Sequence, residues 1–179
     1  MLQRIAFGLL LTGGAALADT PPPAPAGPKP PAPGERCKQP EFHQFDFWLG
    51  EWDVTSQGKP AGHSHIEAIL LNCAVSENWS GTQGGNGKSY NSYDPLTKHW
   101  QQFWVSEQAN TLLLRGGLQG ASMVMVGEHP SPQDGKPQQE RITWTPNADG
   151  SVRQLWEQSN DSGKTWAVAF DGLYRHAKK

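Results

Sequence analysis

Cysteine is scarce in this sequence: 179 residues hold two, Cys37 and Cys73. Their spacing excludes CxxC redox chemistry. Positive charge is gathered nowhere. Fifteen Lys and Arg are scattered against seventeen Asp and Glu, for a formal net charge of −2, which leaves no basic footprint for nucleic acid and no cationic stripe for a membrane surface. Long apolar runs are missing too, since no stretch approaches the roughly 20 residues that a membrane-spanning helix needs. Helical periodicity is nearly absent, and so is the G-x-S-x-G elbow of a serine hydrolase. No cofactor motif is present.

What is there begins with an export signal. Arg4 precedes an apolar run from Ile5 to Leu11 and small residues ending in Ala16-Leu17-Ala18, the pattern of a secretory signal over residues 1–18 with a small-x-small cleavage site before Asp19. No cysteine follows the site directly, so a lipoprotein anchor is rejected. The expected location is the periplasm or the extracellular space. There an even pair of cysteines reads as a disulfide, Cys37–Cys73. Between Asp19 and Gly34 stand eight of the fifteen prolines; with no side chains able to pack, residues 19–36 read as an extended tether. Residues 37–179 are the right length for one domain.

Beyond Arg36, short β-rich runs alternate with Gly, Pro, Asn and Asp every 8 to 12 residues or so. Residues 40–49 admit a helical turn or two, ended by Gly50. Ten strands are expected, over 51–57, 62–71, 74–80, 88–93, 100–107, 111–114, 122–128, 140–145, 152–158 and 165–174. Asp94-Pro95, Asn147-Ala148-Asp149-Gly150 and Asp161-Ser162-Gly163 carry hairpin-turn chemistry, so sequential strands pair antiparallel. Such a meander closes on itself or pairs sheet on sheet to hide its edges. The expected fold is all-β: a single antiparallel up-and-down barrel of about 8–10 strands, lipocalin-like, with a β-sandwich as the alternative.

These segments resemble a family of uncharacterised secreted bacterial proteins of lipocalin-like, calycin-type barrel fold. The resemblance rests on the start motif Phe45-Asp46-Phe47-Trp48-Leu49-Gly50-Glu51-Trp52, on Cys73 with Glu77 and Trp79, on Tyr93-Asp94, on Trp100 with Gln102 and Trp104-Val105, and on Val152-Arg153-Gln154-Leu155-Trp156-Glu157. It implies the barrel and export and brings no assigned catalytic residues. Ser106 departs from it, standing where an acidic residue is expected.

Several motifs reduce to local structure. Gly81 to Ser89 imitates a phosphate loop, but Thr82 occupies the position of its first glycine and a strand follows where a helix is required. Ser159-x-Asp161-x-Gly163-x-Thr165-Trp166 is similar to the Asp-box hairpin of propeller proteins, in which Asp accepts backbone N–H groups and Trp packs beneath. One copy makes a turn rather than a propeller. His63-x-His65 puts two imidazoles on one face of a strand, a spacing some zinc sites use, yet no third ligand lies nearby in the sequence. No metal site is assigned.

The informative feature is a polar-x-Trp pattern on three strands: Glu77-x-Trp79, Gln102-x-Trp104 and Gln154-x-Trp156, with Trp100 extending the second. Alternation puts both members of each pair on one face. The opposite faces carry more polar residues, so the tryptophan face points inward and each interior Glu or Gln needs a partner. In a filled interior these groups satisfy one another. In an open one they receive a small amphipathic ligand, and Glu77, Trp79, Trp100, Gln102, Trp104, Gln154 and Trp156 are the candidate binding residues. Two alternatives stand beside the binder: a structural or protein-interaction module of the cell envelope, and a hydrolase or isomerase using Glu77 as base, for which no paired acid is identifiable. Ligand identity and oligomeric state are not encoded in any motif.

Overall fold

The structure, a computed structural model, describes residues 29–131 and 133–178. The segment read as a signal peptide, and most of that read as a tether, lie outside the described residues. Residues 31–179 form one compact unit. It consists of ten strands, β1 (Gly50–Ser56), β2 (Lys59–Ile69), β3 (Ala74–Gly81), β4 (Gly87–Asp94), β5 (His99–Ser106), β6 (Thr111–Gln119), β7 (Ser122–Pro130), β8 (Pro137–Pro146), β9 (Val152–Ser159) and β10 (Ala167–His176). Each pairs antiparallel with its neighbours in sequence, and β10 returns to β1 to close the barrel. Across the closure Trp52 faces His176 and Val54 faces Tyr174. The sandwich alternative is thereby corrected, because the last strand pairs with the first and neither is left as an edge.

All ten expected strands are present, and their displaced ends have local causes. β6 runs on past residue 114 through Gly116 and Gly117. A Cβ at Gly116 would lie 2.0 Å from the Val124 carbonyl oxygen of β7, so this glycine permits close strand approach rather than ending the strand. β10 starts later than expected because the Asp161 turn consumes Thr165 and Trp166. Asp161 Oδ1 accepts the backbone N–H groups of Lys164 (3.0 Å) and Thr165 (2.9 Å), while Trp166 donates to the Gly163 carbonyl (3.0 Å).

The two ends of the barrel differ. At the end where odd-numbered strands begin, 3-10 turns at Pro40–His43 and Asp46–Trp48 fold across the opening. Phe45 stacks on Trp48 (centroids 4.9 Å apart) and meets Trp100 and Trp144 edge-on at 5.7 and 5.2 Å. Such aromatic pairs contribute about 0.5–1.5 kcal/mol each beyond the area they bury. Trp48, Trp52, Trp100, Trp144 and Tyr174 are almost wholly buried, and two of the indoles are fixed by hydrogen bonds, Trp52 to the Trp48 carbonyl (2.9 Å) and Trp100 to Gln44 Oε1 (3.1 Å). The start motif is thus a plug. A further 3-10 turn, Glu35–Lys38, carries Cys37 to Cys73 at the start of β3, with Cα atoms 4.9 Å apart. The tether assigned to residues 19–36 therefore ends sooner, its last residues already belonging to this turn. Closing a loop of 36 residues by a disulfide stabilises the fold by about 3–4 kcal/mol on the chain-entropy model.

Candidate functional site

Between the plug and the open end lies a polar layer. Glu77 on β3 is buried and accepts hydroxyl hydrogen bonds from Ser64 of β2 (3.1 Å) and Ser89 of β4 (2.9 Å), one on each carboxylate oxygen. Asn91 donates to Ser89 Oγ (3.0 Å) and to the Val75 carbonyl (3.2 Å), and its own Oδ1 accepts Gln102 Nε2 (2.8 Å). Across the barrel, the Tyr174 hydroxyl donates to Gln154 Oε1. Burial pushes the Glu77 carboxyl up to about 7 against the opposing effect of its two serine donors. Burial, with the nearby Glu77 charge, likewise holds the Tyr174 phenol well above its ordinary value.

Above this layer is a cavity of about 230 Å³ lined by Glu77, Trp79, Gln102, Trp104, Gln154, Trp156, Phe170, Leu112 and Ile142, with Gly85 at its rim. Trp79, Trp104 and Trp156 are each partly exposed. Glycines on adjacent strands make room for two of them. A Cβ at Gly62 would lie 2.6 Å from the Trp79 ring, and one at Gly87 would lie 2.3 Å from that of Trp104. Any larger residue at those positions would force the indole or the neighbouring strand to shift. The loop over the mouth is held by Glu107, whose carboxylate accepts the Gly85 backbone N–H (2.8 Å) and Asn86 Nδ2 (2.9 Å). Hydrogen bonding from the Asn86 backbone, the Gly85 backbone and the Asn86 side chain holds the Glu107 carboxyl below its ordinary value. An acidic residue thus stands one position beyond Ser106.

Six of the seven candidate residues line this one cavity. Trp100 does not, and its assignment is corrected: alternation faces it inward, but it sits two residues nearer the plug than Gln102 and is sealed against Phe45 and Tyr93. Height along a strand is invisible to a period-two pattern.

Sequence reasoning missed Glu140 on β8. It is fully buried, is paired with His129 Nε2 (2.8 Å), and accepts Gln158 Nε2 (3.2 Å) and the indole N–H of Trp156. His129 Nδ1 faces the Pro130 carbonyl at 2.8 Å and so must be a donor, because a carbonyl only accepts. The signal was available in Glu140-x-Ile142-x-Trp144, which puts an acid on the inward face of a strand. Glu140 does not line the cavity; it fixes one wall from behind.

The His63-x-His65 pair lies outside the barrel. Glu51 of β1 accepts His63 Nε2 (2.8 Å) and is paired with His65 Nδ1. The hydrogen bond with His63 is the main reason the Glu51 carboxyl lies below its ordinary value, and the same contact raises His63. Among the described residues no group of three His, Cys, Asp or Glu is placed to hold a metal ion. Nor is any helix there long and apolar enough to cross a membrane. No family model matches the chain, and no curated protein matches it significantly.

Proposed function

We propose that this is an exported barrel that binds a small amphipathic molecule in the cavity at its open end. The observation that carries the reading is the division of the interior: a closed aromatic plug at one end, and at the other three partly exposed tryptophans above Glu77, Gln102 and Gln154. Apolar walls with a few convergent polar groups are the general form of a ligand site. Export rests on the signal read at residues 1–18 together with the disulfide, and membership of the secreted family that the start motif resembles belongs to the same proposal.

The enzymatic alternative has less support. Glu77 is the one ionisable side chain among those lining the cavity, and the neighbouring Tyr174 hydroxyl is buried and engaged with Gln154. The interaction-module alternative has one observation of its own. Tyr90, Phe103 and Leu113 are cross-strand neighbours on the outer face of β4, β5 and β6, and all three are exposed, a contiguous apolar row of the kind that marks contact surfaces.

Tryptophan fluorescence and thermal shift against a panel of ring compounds test the binder. A ligand at a hundred times its Kd stabilises the folded state by about 2.7 kcal/mol, and Gln102→Ala should abolish that gain while shifting the unliganded melt far less. If no compound moves either signal at millimolar concentration, the binding reading fails, and a loss of self-association in Leu113→Arg by sedimentation would favour the outer face instead.

A further inference from the structure

Given that the cavity is a binding site, its polar floor specifies the chemistry of the occupant. The Val75 carbonyl can only accept, so the Asn91 group facing it must be the amide nitrogen, and Asn91 Oδ1 is thereby turned to Gln102. Gln102 must then present Nε2 to Asn91. Its Oε1 is left without a hydrogen bond among the described residues, on a side chain only 3% exposed that lines the cavity. The second nitrogen bond of Asn91 runs to Ser89, whose hydroxyl donates a hydrogen bond to Glu77. The network therefore spends its donors inward and leaves acceptors facing the cavity: Gln102 Oε1 and the remaining lone pairs of the Glu77 carboxylate. Gln154 Nε2, also without a partner among the described residues, is the one amide donor on the floor, and no Lys, Arg or His lines the cavity.

A carboxylate or phosphate in this space would meet Glu77 with no compensating cation, a costly burial of like charges. An N–H donor meets two acceptors, and a cation in addition has three indoles and Phe170 around it, side chains whose ring faces attract positive charge. The space over the floor, about 230 Å³, has room for a single ring or its equivalent, and it adjoins a wider recess that shares Gly85, Trp104, Leu112 and Trp156, so the floor selects the polar end of the occupant. We propose that the cavity takes a small organic cation, a protonated amine or N–H-bearing nitrogen heterocycle, its nitrogen held by Glu77 and Gln102 and its body against Trp79, Trp104 and Trp156.

The groups around Glu77 allow a clean test. Its neighbours on β2 and β4 are Ser64, Ile66, Ser89 and Asn91, none of them titratable, and from β10 the titratable Tyr174 approaches with its phenol protonated. Benzylamine, benzyl alcohol and benzoate match in size and differ in charge. Titrated into the full chain at pH 8 with tryptophan fluorescence as readout, benzylamine should bind about tenfold or more tighter than benzyl alcohol, an advantage of the size expected for a charge-assisted contact, and benzoate weakest. Glu77→Gln should bring benzylamine down to the alcohol. Should that variant fail to fold, the unaltered chain serves: between pH 8 and pH 5 benzylamine affinity should fall at least tenfold as Glu77, whose carboxyl titrates near 7, takes up a proton, while the alcohol stays level. Alcohol or benzoate binding as tightly as the amine, or an amine indifferent to both Glu77→Gln and pH, overturns the cation and leaves the cavity a binding site. If none of the three perturbs the fluorescence, the cation is overturned, and the wider panel decides whether the cavity binds at all.

Discussion

Glu140 accepts the indole N–H of Trp156, so a wall of the cavity is anchored by a buried carboxylate that the cavity itself does not touch. Two donors of β9, on Trp156 and Gln158, converge on Glu140, and His129 of β7 is paired with it. Removing the acceptor with Glu140→Ala leaves all three without their partner, and each buried polar group so orphaned costs about 1–3 kcal/mol. Trp156→Phe removes a single donor and should cost nearer 1–2 kcal/mol. Urea denaturation of both variants checks the order; equal losses would mean that Glu140 is not the anchor.

The plug and the mouth should respond differently to the same truncation. Trp48 and Trp100 sit in the sealed aromatic cluster, and replacing either by Ala should cost about 3–5 kcal/mol as a cavity mutation. Trp104 already borders open space and is partly exposed. Trp104→Ala is expected to destabilise by less than half as much and to remove ligand-induced fluorescence change. Comparable losses at both ends would show that the mouth is as well packed as the plug.

Glu77 makes stability fall with rising pH. Its carboxyl titrates near 7 in the folded chain, above the ordinary 4.5, so between those values the folded state holds a proton that the unfolded state has released. Stability is greatest below about 4.5 on this account and is lost as pH rises through about 7, by an amount on the order of 3 kcal/mol. Glu77→Gln carries no charge at that position and should flatten the profile between pH 5 and 8. A variant profile parallel to the original would assign the dependence to other groups.

Reduction of Cys37–Cys73 should lower the melting temperature, since the bridge ties the Glu35–Lys38 turn to the start of β3 and constrains the unfolded chain by about 3–4 kcal/mol. Alkylation without reductant should find no free thiol; two modified cysteines per chain would refute the bridge.

Much of this architecture was legible because β-structure writes its faces into the sequence with a period of two. The pairs Glu77/Trp79, Gln102/Trp104 and Gln154/Trp156 declared an inward face, and turn residues such as Asn147 to Gly150 separated neighbouring strands. The two cysteines and the run of short strands fixed a bridged, antiparallel all-β chain. Closure was a different matter, because whether β10 meets β1 depends on strand tilt and stagger accumulated around the whole sheet, which no single segment records. Only the tertiary structure decided that Trp100 belongs to the plug while Trp104, on the same face of the same strand, borders a cavity, since depth along the barrel axis is set by how residues 40–48 fold across one end. It also decided that Glu140, an unremarked acid on β8, is fully buried. The partners that make its burial tolerable, His129, Trp156 and Gln158, come from two other strands, and the cost of burying a carboxylate is met by three-dimensional neighbours rather than by adjacent residues.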